Sequence, residues 1–263
     1  MTQVTVKRLW KEFGGQVVLE NVNLHVGDHE FVTIVGASGC GKTTFLRMLL
    51  GVETASRGEF LIDGQALNAE PGPDRGIVFQ RYSLFPHLTV IENLLLGLEL
   101  RGAPVLARLF GARRRRALER AAELLDAVGL TGAADKYPQQ LSGGMQQRLS
   151  IAQSVICEPK ILLLDEPFGA LDPGITADMH ALILRLWNAN KMTIFMVTHD
   201  VQESFALGTR LLVFDKVRID PQAPDAFGAT ITFNIQLKGH RTPDNPLREA
   251  RESAPMLELR RNE

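Results

Sequence analysis

Nine consecutive residues, Gly36-Ala37-Ser38-Gly39-Cys40-Gly41-Lys42-Thr43-Thr44, fit the phosphate-binding pattern G-x-x-x-x-G-K-[ST], known as Walker A. Glycines at these spacings let the backbone curl until several N–H groups point at one phosphate chain. A helix starting after the loop adds partial positive charge. Lys42 would set a full charge on the outer phosphates, and the Thr43 hydroxyl can ligate Mg²⁺. The plainer alternative is a glycine-rich turn with a surface lysine. The flanks speak for the phosphate loop. A continuous apolar run, Phe31 to Val35, precedes it. A helical pattern through Phe45, Leu46, Met48 and Leu49 follows and ends near Gly51.

A second cluster is Ile161-Leu162-Leu163-Leu164-Asp165-Glu166-Pro167, an apolar strand ending in two carboxylates. Burial on both faces would hold that strand end rigid beside the loop. Asp165 would reach Mg²⁺ through water, and Glu166 would polarise a water attacking the γ-phosphate. Two acids at an ordinary strand end are common, so this cluster gains its meaning from the loop at Lys42. A third is Leu141-Ser142-Gly143-Gly144-Met145-Gln146-Gln147-Arg148. A serine and free backbone amides at a helix start make an anion site. The same residues also suit a plain capped helix with Ser142 as N-cap.

The elements that must hold these groups are legible in outline. Val4, Val6, Val17, Leu19, Val22, Leu24 and Val26 alternate with polar residues around turns at Gly14-Gly15 and Gly27-Asp28. That predicts antiparallel strands. Phe60-Leu61-Ile62-Asp63-Gly64 reads as a hairpin with an Asp-Gly turn, and Gly76 to Phe79 as a short strand. From Leu88 to about Leu130 the spacing becomes helical, through Ala117, Leu118, Ala121, Leu124, Leu125 and Val128, with Gly129 closing the helix. Buried strands return at Ile161 to Leu164, Thr193 to Val197 and Leu211 to Phe214, between helices over Thr176 to Asn188 and Val201 to Leu207. This alternation predicts an α/β fold with a mainly parallel sheet covered on both faces. Thr230 to Leu237 would add one strand, and the last ~20 residues read as mobile.

The chain has 263 residues, 45% hydrophobic and 22% charged, with a formal net charge of −1. That suits one large domain or two packed ones, and offers no global field for nucleic acid. Two cysteines, Cys40 and Cys157, point to a reducing compartment rather than a disulfide framework. The N-terminus shows no secretory pattern, and no run approaches the ~18 apolar residues of a membrane-spanning helix. Service to a membrane would then pass through partners.

Taken together, the motifs resemble those of ABC ATPases, from about Val4 to Lys216 and in that family's order. The Leu141 to Arg148 segment closely resembles the family's signature motif. The resemblance implies a P-loop NTPase of ABC type, with an N-terminal antiparallel β subdomain and a helical subdomain. It implies an ATPase domain over 1–218, the helical subdomain inserted at about 86–158, and a C-terminal extension over 219–263. It implies an ATP hydrolase working with Mg²⁺ as a head-to-tail dimer of two copies. Ser142, Gly143, Gly144, Gln146 and Asp172 of one copy would then meet the nucleotide held by Gly36 to Thr44 of the other. Gln80 is similar to the Q-loop glutamine, which senses Mg²⁺ and the attacking water. Ala170-Leu171-Asp172 matches the D-loop, and His199 the switch histidine that contacts the γ-phosphate. Phe13 matches the aromatic that stacks on adenine; Trp10 is the weaker candidate, and a core aromatic is an alternative for both.

Within the family, Pro71 to Gln80 followed by Leu84 to Val90 looks like the nitrate/taurine (sulfonate) importers. That implies integral-membrane permease subunits, an indirect solute-binding protein outside the cell, and a peripheral place on the cytoplasmic face of a bacterial inner membrane. A soluble ABC-type ATPase, in DNA repair or iron-sulfur assembly, and an exporter ATPase are the alternatives. Two departures stand out. Val105 to Gly111 reads as an insertion before Arg113-Arg114-Arg115-Arg116. It is either a solvated basic helix face or an extra contact with a membrane subunit or anionic headgroups. The tail beyond Asp215 matches no accessory domain.

Overall fold

The computed structural model describes residues 2–67, 70–80, 83–102, 108–169, 171–218, 220, 222–223 and 225–237. Two sheets stand at its centre. The first is antiparallel, in the order β2-β1-β4-β5. It joins β1 (Val4–Phe13), β2 (Gln16–Val26), β4 (Arg57–Ile62) and β5 (Gln65–Ala66). The second has six strands in the order β10-β9-β3-β8-β7-β6. These are β3 (Phe31–Gly36), β6 (Arg75–Val78), β7 (Ile161–Asp165), β8 (Thr193–Val197), β9 (Arg210–Asp215) and β10 (Thr230–Gln236). Strands β9, β3, β8, β7 and β6 run parallel, and β10 closes one edge antiparallel to β9. This is the α/β class the alternation predicts, with the antiparallel β subdomain beside it.

Strand β7 shows why the apolar runs become central strands. Ile161, Leu162, Leu163 and Leu164 are all at 0% exposure. Leu162 and Leu164 enter one core with Val78, Leu94, Leu149, Met196 and Trp187. Ile161 and Leu163 enter another with Ile34, Phe45, Phe195 and Phe214. Successive side chains leave a strand on opposite faces, so only an uninterrupted apolar run fits between two cores. Burying each such side chain stabilises the fold by ~1.5–3 kcal/mol.

Six α-helices are described: α1 (Lys42–Leu50), α2 (Val90–Gly102), α3 (Gly111–Ala127), α4 (Gly143–Val155), α5 (Pro173–Asn190) and α6 (Val201–Leu207). Thr89 and Glu92 form a reciprocal cap at the start of α2, with Thr89 N–H donating to Glu92 Oε2 at 2.8 Å. Gly51, at φ 93°, ends α1 in the left-handed conformation that glycine adopts without strain. The expected insertion at Val105 to Gly111 is described only in part. Residues 105–107 lie outside those described, but Leu109 is buried in the helical core, and Phe110 is exposed at the N-cap of α3. Arg113 to Arg116 are exposed in the first turns of α3, and Arg114 reaches Glu99 at 3.2 Å.

The segment after β9 ties the two sheets together. Val17 N–H donates to Asp225 O at 2.9 Å, Glu20 N–H to Ala229 O at 2.9 Å, and Ala229 N–H to Val18 O at 3.0 Å. The buried Glu20 carboxylate accepts from Gly228 N–H and pairs with Arg218. The mobile tail expected beyond this falls outside the described residues. Cys40 and Cys157 are both free thiols.

Candidate functional site

Strand β3 ends at Gly36, and the chain turns through the glycine-rich loop into α1. Gly36 has φ 152°, and a Cβ there would stand 2.2 Å from Phe214 O. No other residue fits without moving β9. Gly41 has φ 86°, and its Cβ would meet Leu19 Cδ2 at 2.8 Å. The antiparallel sheet therefore packs directly behind the loop. Lys42 Nζ folds back over the loop and donates to Gly36 O at 2.8 Å and Ala37 O at 2.9 Å. Its ammonium thus marks the loop's hollow, where a phosphate oxygen would be a stronger, charged acceptor. Cys40 Sγ lies 3.8 Å from the same ammonium. Burial raises the Cys40 thiol above its usual range despite Lys42, so it stays protonated.

Strand β7 delivers the two carboxylates. Thr43 Oγ1 donates to Asp165 Oδ1 at 3.3 Å. Burial pushes the Asp165 carboxyl up, against the Thr43 bond, which lowers it. A desolvated carboxylate beside a hydroxyl suits a hard cation with oxygen ligands. Among the described residues no group of three or more His, Cys, Asp or Glu could hold a metal. A Mg²⁺ ion fits that economy, because it keeps most of its waters and takes phosphate oxygens as ligands. Thr43, Asp165 and Gln80 are the residues that would hold it.

Glu166 sits at φ 48°, a left-handed conformation uncommon outside glycine. Its N–H donates to Val197 O at 2.9 Å, so the β7–β8 ladder holds the bend. The bend aims its side chain at two other loops. Gln80 Nε2 donates to Glu166 Oε2 at 3.3 Å, and His199 Nδ1 lies 3.7 Å from the same oxygen. Gln80 follows β6, and His199 follows β8. Three parallel strands thus bring Gln80, Glu166 and His199 together at one sheet end, beside Asp165, Thr43 and Lys42. Ligands bind at that end in open α/β sheets.

The remaining predicted residues stand elsewhere on the chain. Ser142 caps α4, accepting from Met145 N–H at 3.4 Å, and Gly143 and Gly144 form the first turn. A Cβ on Gly144 would meet Ile175 Cγ2 at 2.9 Å. Gln146 Nε2 is already engaged with Pro138 O at 2.9 Å and Leu141 O at 3.3 Å, so its amide braces the turn. Asp172 caps α5, accepting from Ile175 N–H at 3.1 Å. Both predicted trans contacts thus carry bonds inside their own chain. Ala170 lies outside the described residues. Ser38, Gly39 and Thr44 belong to the loop and the first turn of α1. Phe13 is 43% exposed at the β1–β2 turn, with Lys11 Nζ 4.4 Å from its ring centre. Trp10 instead lies under Arg57, 4.6 Å from the guanidinium.

Sequence reasoning missed the support behind His199. Thr198 Oγ1 donates to Glu203 Oε2 at 2.6 Å, and Glu203 faces His180. One signal was available: Asp200-Val201-Gln202-Glu203 has the spacing of a helix-capping pair. Asp200 does cap α6, but Glu203 reaches Thr198 instead of the cap backbone.

Residues 19–169 match the family profile described as ABC transporter. The nitrate import ATP-binding protein NrtD of Synechocystis sp. is 44% identical over 232 residues, 88% of this chain and 81% of that protein. The aliphatic sulfonates import ATP-binding protein SsuB of Burkholderia ambifaria is 43% identical over 223 residues, 84% of this chain and 64% of that protein. Among solved structures, a dimeric ATP-binding cassette in a post-hydrolysis state with ADP and Pi superposes with a TM-score of 0.71. It is 30% identical, and the match covers 90% of this chain and 100% of that one.

Proposed function

This chain belongs to the ABC transporter family of ATP-binding proteins, and from that membership we propose that it drives import of a small nitrate- or sulfonate-type solute. It is an ATP hydrolase and pairs with membrane permease subunits. The finer reading adds a solute-binding protein that feeds the permease, and a place on the cytoplasmic face of a bacterial inner membrane. The import relatives support this reading. No described helix is long and apolar enough to cross a membrane, in keeping with separate permease subunits. We take 1–218 as the ATPase domain, with the helical subdomain at about 86–158 and an extension over 219–263.

One observation carries the site assignment: Gln80 and His199 converge on one oxygen of Glu166 at the sheet end that also bears Lys42. In our reading, the loop amides of Gly36 to Thr44 grip the β- and γ-phosphates of ATP. Lys42 leaves the Gly36 and Ala37 carbonyls for a phosphate oxygen. Phe13 stacks on adenine. Thr43, Gln80 and Asp165 would hold Mg²⁺, Asp165 through water, and the ion would supply neutralisation of charge developing on the phosphates. Glu166 accepts a hydrogen bond from the attacking water and keeps it in line with the γ-phosphorus. Gln80 positions that water and the metal. His199 and Lys42 donate to the γ-phosphate as charge builds there. Ser142, Gly143 and Gly144 from the second copy donate to the same phosphate, and Gln146 and Asp172 line the seam. Closing the dimer around two nucleotides then moves the permease.

The trans arrangement has a direct test. Lys42→Ala breaks the loop, and Ser142→Arg blocks the cap. Each homodimer should be nearly inactive. A mixed dimer keeps one intact site, because both lesions fall at the other. Mixing the two inactive proteins should therefore restore measurable ATP hydrolysis. Continued inactivity of a verified mixed dimer would remove the trans reading.

A further inference from the structure

His199 is 67% exposed at its side chain, so packing does not fix its ring. Its aim depends on the backbone from Thr198 to Asp200. That backbone is unusually well held. Thr198 is 2% exposed, and its N–H donates to Ile34 O at 3.1 Å, on the strand that leads into the phosphate loop. Its hydroxyl accepts from Asp200 N–H at 3.0 Å and donates to Glu203 Oε2 at 2.6 Å. One side chain thus clamps the residue on each side of His199.

Glu203 leads further. Its other oxygen, Oε1, lies 3.5 Å from His180 Nε2, and both side chains are largely buried, at 12% and 14% exposure. At that distance the two atoms are at the outer limit of a hydrogen bond. His180 Nε2 has no partner at ordinary hydrogen-bond length. A buried ring nitrogen in that state is costly, and a small approach of α5 to α6 would satisfy it. The His180 ring also meets Phe168 edge-on at 5.0 Å. Phe168 stands two residues beyond Glu166. His180 rides on α5, whose N-cap is Asp172.

We propose that Glu203, held between Thr198 and His180, is a positioning residue that sets the aim of His199 and couples it to helix α5. Thr198 is its near arm and His180 its far arm. A shift of α5 that brings His180 onto Glu203 draws the carboxylate with it and moves the clamp on His199. The inference rests on the reading of His199 as a donor to the γ-phosphate. It adds residues that touch neither nucleotide nor water.

The test is hydrolysis of Mg-ATP by the full chain, with kcat and KM separated, in the parent and in a His199→Ala background. Thr198→Val and Glu203→Ala should each lower kcat by roughly tenfold while KM stays within about twofold. Thr198→Ser keeps the hydroxyl and should recover most of the rate. His180→Leu should lower kcat, and His180→Gln, which keeps a donor, should restore it in part. In the His199→Ala background the same changes should cost less than about twofold more, because residues acting through His199 lose their effect with it. Should Glu203→Ala not fold, Thr198→Val and Glu203→Gln run the same cycle. Full additivity with His199→Ala, or KM rising in step with the fall in kcat, overturns the coupling. A His199→Ala chain that hydrolyses at the parent rate overturns the His199 reading first, and the two failures are told apart by that single variant.

Discussion

Thr43 Oγ1, in the first turn of α1, donates to Asp165 Oδ1 at the end of β7 across 3.3 Å. Two residues 122 positions apart in the chain thus meet through one hydroxyl and one carboxylate. If these two groups hold Mg²⁺, Thr43→Val and Asp165→Asn should each raise the Mg²⁺ concentration for half-maximal hydrolysis by about 10- to 100-fold. Nucleotide binding measured without Mg²⁺ should change little. Titrating the metal at saturating ATP reads the difference, and an unchanged Mg²⁺ midpoint in both variants counts against the assignment.

Glu166→Gln keeps the shape of the side chain and removes its charge. Hydrolysis should fall by roughly 10²- to 10⁴-fold, the range of a lost general base. ATP should then persist at the site and hold two copies together. Gel filtration with saturating Mg-ATP should show a dimer for the variant under conditions where the parent elutes as a monomer. A variant that stays monomeric and hydrolyses at the parent rate refutes the role.

Phe13 presents a partly exposed ring at the β1–β2 turn, with the Lys11 ammonium on its face. Phe13→Ala should raise KM for ATP by about 3- to 10-fold, the worth of one aromatic stacking contact. kcat should hold, and Phe13→Tyr should behave as the parent. A parallel change with an adenine-free triphosphate would show that the ring serves the fold instead of the base.

Asp63 tests how the small sheet is fastened. Its own burial would raise the carboxyl, but the Gln3 N–H bond at 2.8 Å and Lys160 at 3.2 Å outweigh that and hold it below the usual range. A depressed folded value means stability that is present above the unfolded value and lost as pH falls through the folded one. Asp63→Asn should therefore lower stability at neutral pH, by about 1 kcal/mol or less because the pair is partly exposed. Asn tolerates the left-handed backbone at this position, φ 52°, so strain does not confuse the result. Melting curves at pH 7 and pH 3 should differ less for the variant than for the parent, and an equal difference rejects the account.

Motifs whose chemistry is local were legible before any fold was known. The loop at Lys42 needs a strand before it, glycines within it and a helix after it, and all three lie within twenty residues. The double burial of β7 shows as four apolar residues in a row, and the carboxylates mark its end. The Ser142 cap is likewise a local device. What stayed hidden depends on contacts that no local pattern marks. Glu203 reads as the partner of Asp200 in a capping pair, yet the nearness of Thr198 draws it away. His180 reads as one more residue of an apolar helix until α5 packs against α6. Leu109 reads as part of an insertion, and only the structure shows the helical core taking it in. The fastening of residues 225–229 onto β2 leaves no pattern in either segment, because backbone groups make most of those bonds and only the Glu20 carboxylate adds a side chain to them.

Strand β3 lies between β8 and β9, with Ile34 paired to Val197 and to Leu212. Its neighbours are the latest strands to leave the ribosome except for β10. A nascent chain stopped after the helical region carries the whole glycine-rich loop, but its strand has no sheet to join. Nucleotide affinity should thus arrive late in synthesis and all at once.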